Sequence, residues 1–290
     1  MKVIFFGTPK EVVPVLENIS KQYDVIAVVT APDQKAGRKQ LLTAPPVKTA
    51  AQKLGIPVIQ PENNNSLKSS LFNLTSDLYV VAAYGAIISD SILHLPKYGA
   101  INIHPSLLPK YRGPTPIQTT LLNGDQTSGV TFIKMDKQMD HGPILHQIPF
   151  TLEKTDTFDW LMQSMFAQAA VILPNVIHDF VSGKITPQQQ DETKATYTKI
   201  ITKQDGYIDL SDLETLKPVE IENWKLKNER KIRAYYPWPT VWTKAKINDR
   251  ETRINFLPQK KLQVEGKNPI SLKDFLNGYP YMEKSVGKLY

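Results

Sequence analysis

The feature that most restricts what this chain can fold into is its opening. Lys2–Phe6 is a short apolar run that ends in Gly7-Thr8-Pro9. A helical pattern over Pro14, Val15, Leu16 and Ile19 follows, with Thr8 placed to cap and Pro9 at the first helical position. Asp24–Thr30 is apolar and β-branched again. A strand, a helix and a strand in that order make a βαβ unit, whose strands are parallel and whose crossover is right-handed. Asp77–Ala83 and Gly99–His104 read as further buried strands, so the expected class is α/β with a Rossmann-like, mostly parallel sheet. The first turn has one glycine, Gly7, and lacks the Gly-x-Gly-x-x-Gly that lets a pyrophosphate approach the helix. A nicotinamide or flavin dinucleotide is therefore not expected.

The chemistry concentrates in Ile101-Asn102-Ile103-His104-Pro105-Ser106-Leu107-Leu108-Pro109-Lys110-Tyr111-Arg112-Gly113. Asn102 and His104 lie two apart on a strand, so both side chains leave one face. Pro105, Pro109, Gly113, Pro114 and Pro116 forbid a regular ladder and predict a rigid loop at the strand's carboxyl end. That is where open α/β sheets place their ligands. A second strand over Ser128–Met135 is followed by an acidic turn, Asp136 to Pro143, able to bring Asp140 to the imidazole. An amide donor, a titratable ring and an orienting acid are the parts needed to stabilise an oxyanion and move a proton. Either Asn102 or His104 alone would read as a structural residue, and Ser106 reads as a loop-forming hydroxyl rather than a nucleophile.

In order, spacing and residue type, Asn102-Ile-His104, Ser106-Leu-Leu-Pro109-Lys-Tyr-Arg-Gly113 and the later Asp140 resemble the 10-formyltetrahydrofolate-dependent formyltransferases. The long basic connection from Ala31 to Lys48, with Pro32-Asp33, Ala36-Gly37-Arg38 and Pro46-Val47-Lys48, is similar to the insertion of the methionyl-tRNA branch of that family. The resemblance implies transfer of the formyl group of 10-formyltetrahydrofolate to the amino group of initiator methionyl-tRNA, for translation initiation. It makes Asn102, His104 and Asp140 catalytic. It puts the folate against Tyr84, Gly85, Ala86 and Ile87, Ser106, Leu107, Leu108 and Pro109, and Met139, His141 and Gly142, mostly through backbone groups. Lys35, Arg38, Lys39, Lys203 and Arg233 are expected to contact tRNA. His141 departs from the small hydroxyl residue more usual there and puts a second imidazole beside Asp140.

At 290 residues the chain has material for about two domains. A formyltransferase domain is expected over residues 1–190, a polar linker over 191–205 and a small β-rich, OB-like domain over 206–290. Val241 to Val264 leaves room for about two or three strands, so this barrel is expected to be truncated or partly open. With no cysteine, disulfides and thiolate chemistry are excluded, and no metal-ligand spacing predicts a metal. No apolar stretch nears the roughly 20 residues that span a bilayer, so a cytoplasmic monomer free of the membrane is expected. Residues from Asp191 onward carry 19 Lys and Arg against 14 Asp and Glu, or +5 of the net +7. That excess is suited to a polyanion such as tRNA, although a solvated face explains any single charge run. A Trp between prolines beside Arg and Tyr, over Arg233–Pro239, reads as a packed corner before a base-stacking platform. A sugar-nucleotide N-formyltransferase with the same donor and triad is the alternative, since it would not need the Arg38 loop.

Overall fold

The computed structural model describes every residue except 38–39, 212–216, 248–249, 284 and 290. The chain runs β1 (Lys2–Gly7), α1 (Val13–Ile19), β2 (Asp24–Val29), β3 (Gln34–Ala36), β4 (Leu41–Thr43), α2 (Pro46–Lys53), β5 (Val58–Ile59) and α3 (Asn64–Leu71). It continues through β6 (Leu78–Ala82), α4 (Asp90–Leu93), β7 (Ala100–His104), α5 (Pro116–Asn123), β8 (Thr127–Lys134), β9 (Ile144–Thr151) and α6 (Phe158–Val181). Seven strands form one sheet in the order β5-β2-β1-β6-β7-β8-β9. The first five are parallel, and β8 runs antiparallel to β7. The expected Rossmann-like sheet is thus present, with β1 the middle one of its five parallel strands and Val3 to Phe6 fully buried. Both faces of such a strand are covered, which is why it reads as an unbroken apolar run.

By compactness the chain divides into two units. One comprises Met1–Gly113, Thr127–Phe150 and Met162–Tyr197, and the other Pro114–Gln126, Thr151–Leu161 and Thr198–Tyr290. In the first, Phe6, Val29, Tyr79, Val81, Tyr84 and Ile88 belong to one core cluster. The helix α6 is 24 residues long and contains an 18-residue stretch with a mean hydropathy of 1.3, enough by length and composition to cross a membrane. Yet its buried side chains Leu161, Met165, Ala169, Leu173 and Val176 recur at three- and four-residue steps, and Gln163, Gln168 and Asn175 are exposed. That is one buried apolar stripe, the pattern of a helix laid on a core, although Trp160 and Val171 are exposed on the opposite side with the polar residues.

The second unit adds α7 (Pro218–Ala234), β10 (Val241–Ile247), β11 (Arg250–Leu257), β12 (Lys261–Val264), β13 (Ile270–Ser271) and α8 (Leu272–Gly278). Its strands form an antiparallel meander in sequence order. Three of them fall in the Val241–Val264 stretch, as its length allows, and the C-terminal part is the small β-rich domain expected. The inward residues Val241, Ile254, Phe256, Leu262 and Phe275 are buried and supply its core.

Candidate active site

The strand β7 buries Ile101 and Ile103 and turns Asn102 and His104 the other way. Beyond it the chain cannot continue a ladder, and polar groups of the loop are satisfied by the loop itself and by side chains of β8 and β9. The Ser106 hydroxyl donates to the Lys110 carbonyl at 2.6 Å, and the Thr131 hydroxyl donates to the Ser106 carbonyl at 2.6 Å. The Gln147 amide then donates to Leu108 O at 3.0 Å and to Thr131 Oγ1 at 2.9 Å. Ser106 is fully buried in this network, so its oxygen fastens the loop. Tyr111, with φ 65°, reverses the chain and points its carbonyl at the ring of His104, 2.9 Å from Nε2. A carbonyl oxygen only accepts, so Nε2 carries the hydrogen and Nδ1 is the nitrogen left to exchange a proton.

His104 Nδ1 faces Asp140. The Oδ1 of Asp140 lies 3.4 Å from that nitrogen and 3.3 Å from the Asn102 amide nitrogen, which donates to it. Its Oδ2 accepts the Gly113 backbone N–H at 2.7 Å. One carboxylate therefore gathers the amide and the imidazole, with His104 and Asp140 largely buried, their side chains 5% and 12% exposed. Asp140 has φ 51°, a left-handed conformation that costs an ordinary L residue about 1 kcal/mol or more and that Asp tolerates better than most. The turn is held at both ends: Met135 N donates to Ala100 O at 2.8 Å, and Lys134 N to Pro143 O at 2.9 Å. Gly142 allows this closure, because a Cβ there would lie 1.8 Å from the Lys134 carbonyl oxygen.

A third segment, absent from the sequence reading of the site, reaches the same place. Arg112, inside the proline loop, is completely buried. Its Nε and Nη2 donate to Gln190 Oε1 at 3.1 and 2.8 Å, and its Nη1 and Nη2 donate to the two carboxylate oxygens of Glu192 at 2.9 and 2.6 Å. The bond to Arg112 holds the Glu192 carboxyl below the usual glutamate range and raises the guanidinium in turn. Backbone pairing accompanies the charges, with Arg112 N donating to Thr196 O at 2.8 Å. Gln190 Nε2 then donates to Asp140 O and Gly142 O, both at 2.8 Å. No local motif marks Gln190 in Pro187-Gln188-Gln189-Gln190. Its partner Arg112 stands in the proline loop beside Lys110, with nothing local to mark it as buried.

The residues expected to hold a folate lie on three loops. The Tyr84 ring belongs to the core, edge-on to Phe6 at 5.5 Å between centroids, so its segment offers backbone rather than the phenol. Gly85, Ala86 and Ile87 are exposed beyond it, and so is Met139, while Leu108 and Gly142 are buried and Leu107 and Pro109 half-buried. The His141 ring is taken by two carboxylates, with Nδ1 2.6 Å from Asp136 Oδ2 and Nε2 3.5 Å from Glu192 Oε1. Of the residues expected to meet tRNA, Lys35 and Lys203 are exposed, and Arg38 and Lys39 lie outside the described residues. Arg233 requires a correction. Its side chain is 14% exposed and its Nη1 donates to Asp156 O at 3.0 Å, so it fastens α7 internally instead of facing a phosphate. Trp238, read as a packed corner, is 58% exposed, whereas Tyr235 beside it is buried.

The family model described as "Formyl transferase" matches residues 1–177. The methionyl-tRNA formyltransferase of Roseiflexus sp. is 41% identical over 261 residues, covering 88% of this chain and 77% of its own length. That of Listeria welshimeri is 39% identical over 275 residues, covering 94% of this chain and 84% of its own. Among solved structures, the N-formyltransferase of Helicobacter canadensis in complex with folinic acid and dTDP-3-aminofucose superposes with a TM-score of 0.61. It is 20% identical and covers 91% of this chain and 95% of its own, a likeness of fold.

Proposed function

The chain belongs to the methionyl-tRNA formyltransferase family, and on that premise we propose that it transfers the formyl group of 10-formyltetrahydrofolate to the α-amino group of methionine esterified to initiator tRNA. The observation that supports the transfer chemistry is the meeting of Asn102, His104 and Asp140 at one carboxylate, and the likeness to methionyl-tRNA formyltransferases supports the acceptor.

The reaction is acyl transfer by direct attack. As the amine adds to the formyl carbon, negative charge grows on the formyl oxygen and positive charge on the nitrogen. Asn102 spends one amide hydrogen on Asp140, which fixes the plane of the amide and leaves the other hydrogen for the oxyanion. His104, its Nε2 hydrogen committed to Tyr111, works through Nδ1, taking the proton the nitrogen sheds or passing it through a water. Asp140 faces that same nitrogen and balances the charge it acquires. The tetrahedral carbon then collapses: its bond to N10 of the folate breaks, N10 takes up the proton that His104 Nδ1 or its water received, and tetrahydrofolate leaves, so no covalent enzyme intermediate is needed. The folate lies along Gly85–Ile87, the Leu107–Pro109 stretch and the Met139–Gly142 turn, where exposed Ile87 and Met139 offer apolar surface to a flat ring. The β3–β4 hairpin, bearing Lys35 with Arg38 and Lys39 in the same segment, meets the tRNA.

The test is formyl transfer from 10-formyltetrahydrofolate to four acceptors: initiator methionyl-tRNA, free methionine, uncharged tRNA and a dTDP-linked amino sugar. The first alone should be formylated efficiently. Equal turnover of free methionine would overturn the role given to the hairpin, and preferential turnover of the sugar would overturn the acceptor.

A further inference from the structure

We propose that Gln190, locked by the buried Arg112, is the positioning residue that places Asp140 for catalysis. The inference rests on the catalytic role given to Asp140 above. The side-chain amide of Gln190 is used to capacity. Its oxygen accepts from Nε and Nη2 of Arg112, and its nitrogen donates to the carbonyls of Asp140 and Gly142. The guanidinium can only donate, so it forces the amide oxygen toward itself and the NH2 toward the turn. Nothing in this relay touches the carboxylate of Asp140. It holds the carbonyl of Asp140 and the carbonyl of Gly142 just beyond it, while Gly113 and Asn102 hold the carboxylate itself.

Such a grip is needed because Asp140 sits in the left-handed region, where a short turn has other conformations open to it. A turn released at its carbonyls would let the carboxylate drift, and a displacement of about 1 Å is enough to cost a catalytic group most of its effect. Arg112 is anchored for the purpose at both ends of its side chain. Its backbone pairs with Thr196, and its Nη1 and Nη2 are filled by Glu192 and Tyr197. The guanidinium is thereby withdrawn from solvent and from any substrate phosphate, which separates this arginine from the cationic residues expected to meet tRNA.

Gln190→Glu discriminates. The replacement keeps the volume and improves the charge match to Arg112, but an ionised carboxylate cannot donate to the two carbonyls. If Gln190 serves only to neutralise a buried cation, the variant should match or exceed wild type in both stability and activity. If it positions Asp140, kcat should fall about 10- to 100-fold, with KM for both substrates within about threefold and the thermal midpoint preserved. Gln190→Met, which removes donor and acceptor together, gives the same kcat readout should the charged variant fail to fold. The second arm is a cycle with Asp140→Asn, chosen because Asn tolerates the left-handed backbone. In that background the Gln190 change should cost nothing further. Additive losses, or wild-type kcat in Gln190→Glu, would overturn the inference. Full activity of Asp140→Asn alone would instead overturn the catalytic reading on which it rests.

Discussion

Two side chains in this site have their chemistry decided by a neighbour. Tyr111 selects the tautomer of His104 through a backbone carbonyl, and Asp140 fixes the plane of the Asn102 amide. Asn102→Ala removes the oxyanion donor and is expected to lower kcat about 100-fold or more, with little change in KM for the folate, as steady-state kinetics would register. Gly142→Ala tests the turn by a different route. The added methyl would press on the Lys134 carbonyl at 1.8 Å, so the variant should lose about 2 kcal/mol or more in denaturant unfolding and most of its activity with it. Asn102, His104 and Asp140 were legible in the sequence because strand periodicity and turn chemistry act over a few residues. Arg112 stood in view without a role. Gln190 had no signal, because its partners lie 50 and 78 positions away and nothing local in a polar run records them.

Among elements, legibility followed burial. The strands β1, β2, β6 and β7 can be read from apolar runs, and α1 from its apolar spacing, because core contact leaves a periodic mark. The 17-residue helix α7 was not read at all. Its inward face passes through Ile221, Trp224, Asn228 and Ile232, with an asparagine at its middle and lysine or glutamate around it. Asn228 is buried but donates its amide to Trp224 O at 2.9 Å, so the stripe is present but not apolar throughout. Truncating it by Ile232→Ala should cost about 2–5 kcal/mol in unfolding. The hairpin β3–β4 was equally unseen as structure, since Leu41 and Leu42 are exposed and mark no core. The link between the proline loop and residues 190–197 has a pH signature. Glu192 titrates below its ordinary 4.5 when folded because of Arg112, so its contribution to stability is present above that value and is lost as pH falls through its folded pKa. The difference between wild type and Glu192→Gln in urea midpoint should therefore be seen at neutral pH and be lost as pH falls through the lowered pKa of Glu192.

At the scale of the whole molecule the dominant property is charge. A formal +7, most of it after residue 190, favours a polyanionic acceptor over a small one, and its effect is screened by salt. The KM for methionyl-tRNA should rise at least about tenfold between roughly 50 and 200 mM salt, while that for the folate stays within about twofold. Parallel curves for the two substrates would remove tRNA from the role. The sheet supplies the second molecular property: it puts the ends of β6 and β7 side by side in register, so their loops emerge together. That arrangement follows from parallel strands, which the opening residues already required.

The pairing of Arg112 with Thr196 and Glu192 also imposes an order of events during synthesis. A nascent chain stopped at residue 185 already holds the amide, the imidazole and the acid, yet its loop cation has no Glu192 beside it and its turn no Gln190. On the proposal above, a ribosome must therefore deliver a stretch of chain that contributes no reacting atom before the first turnover.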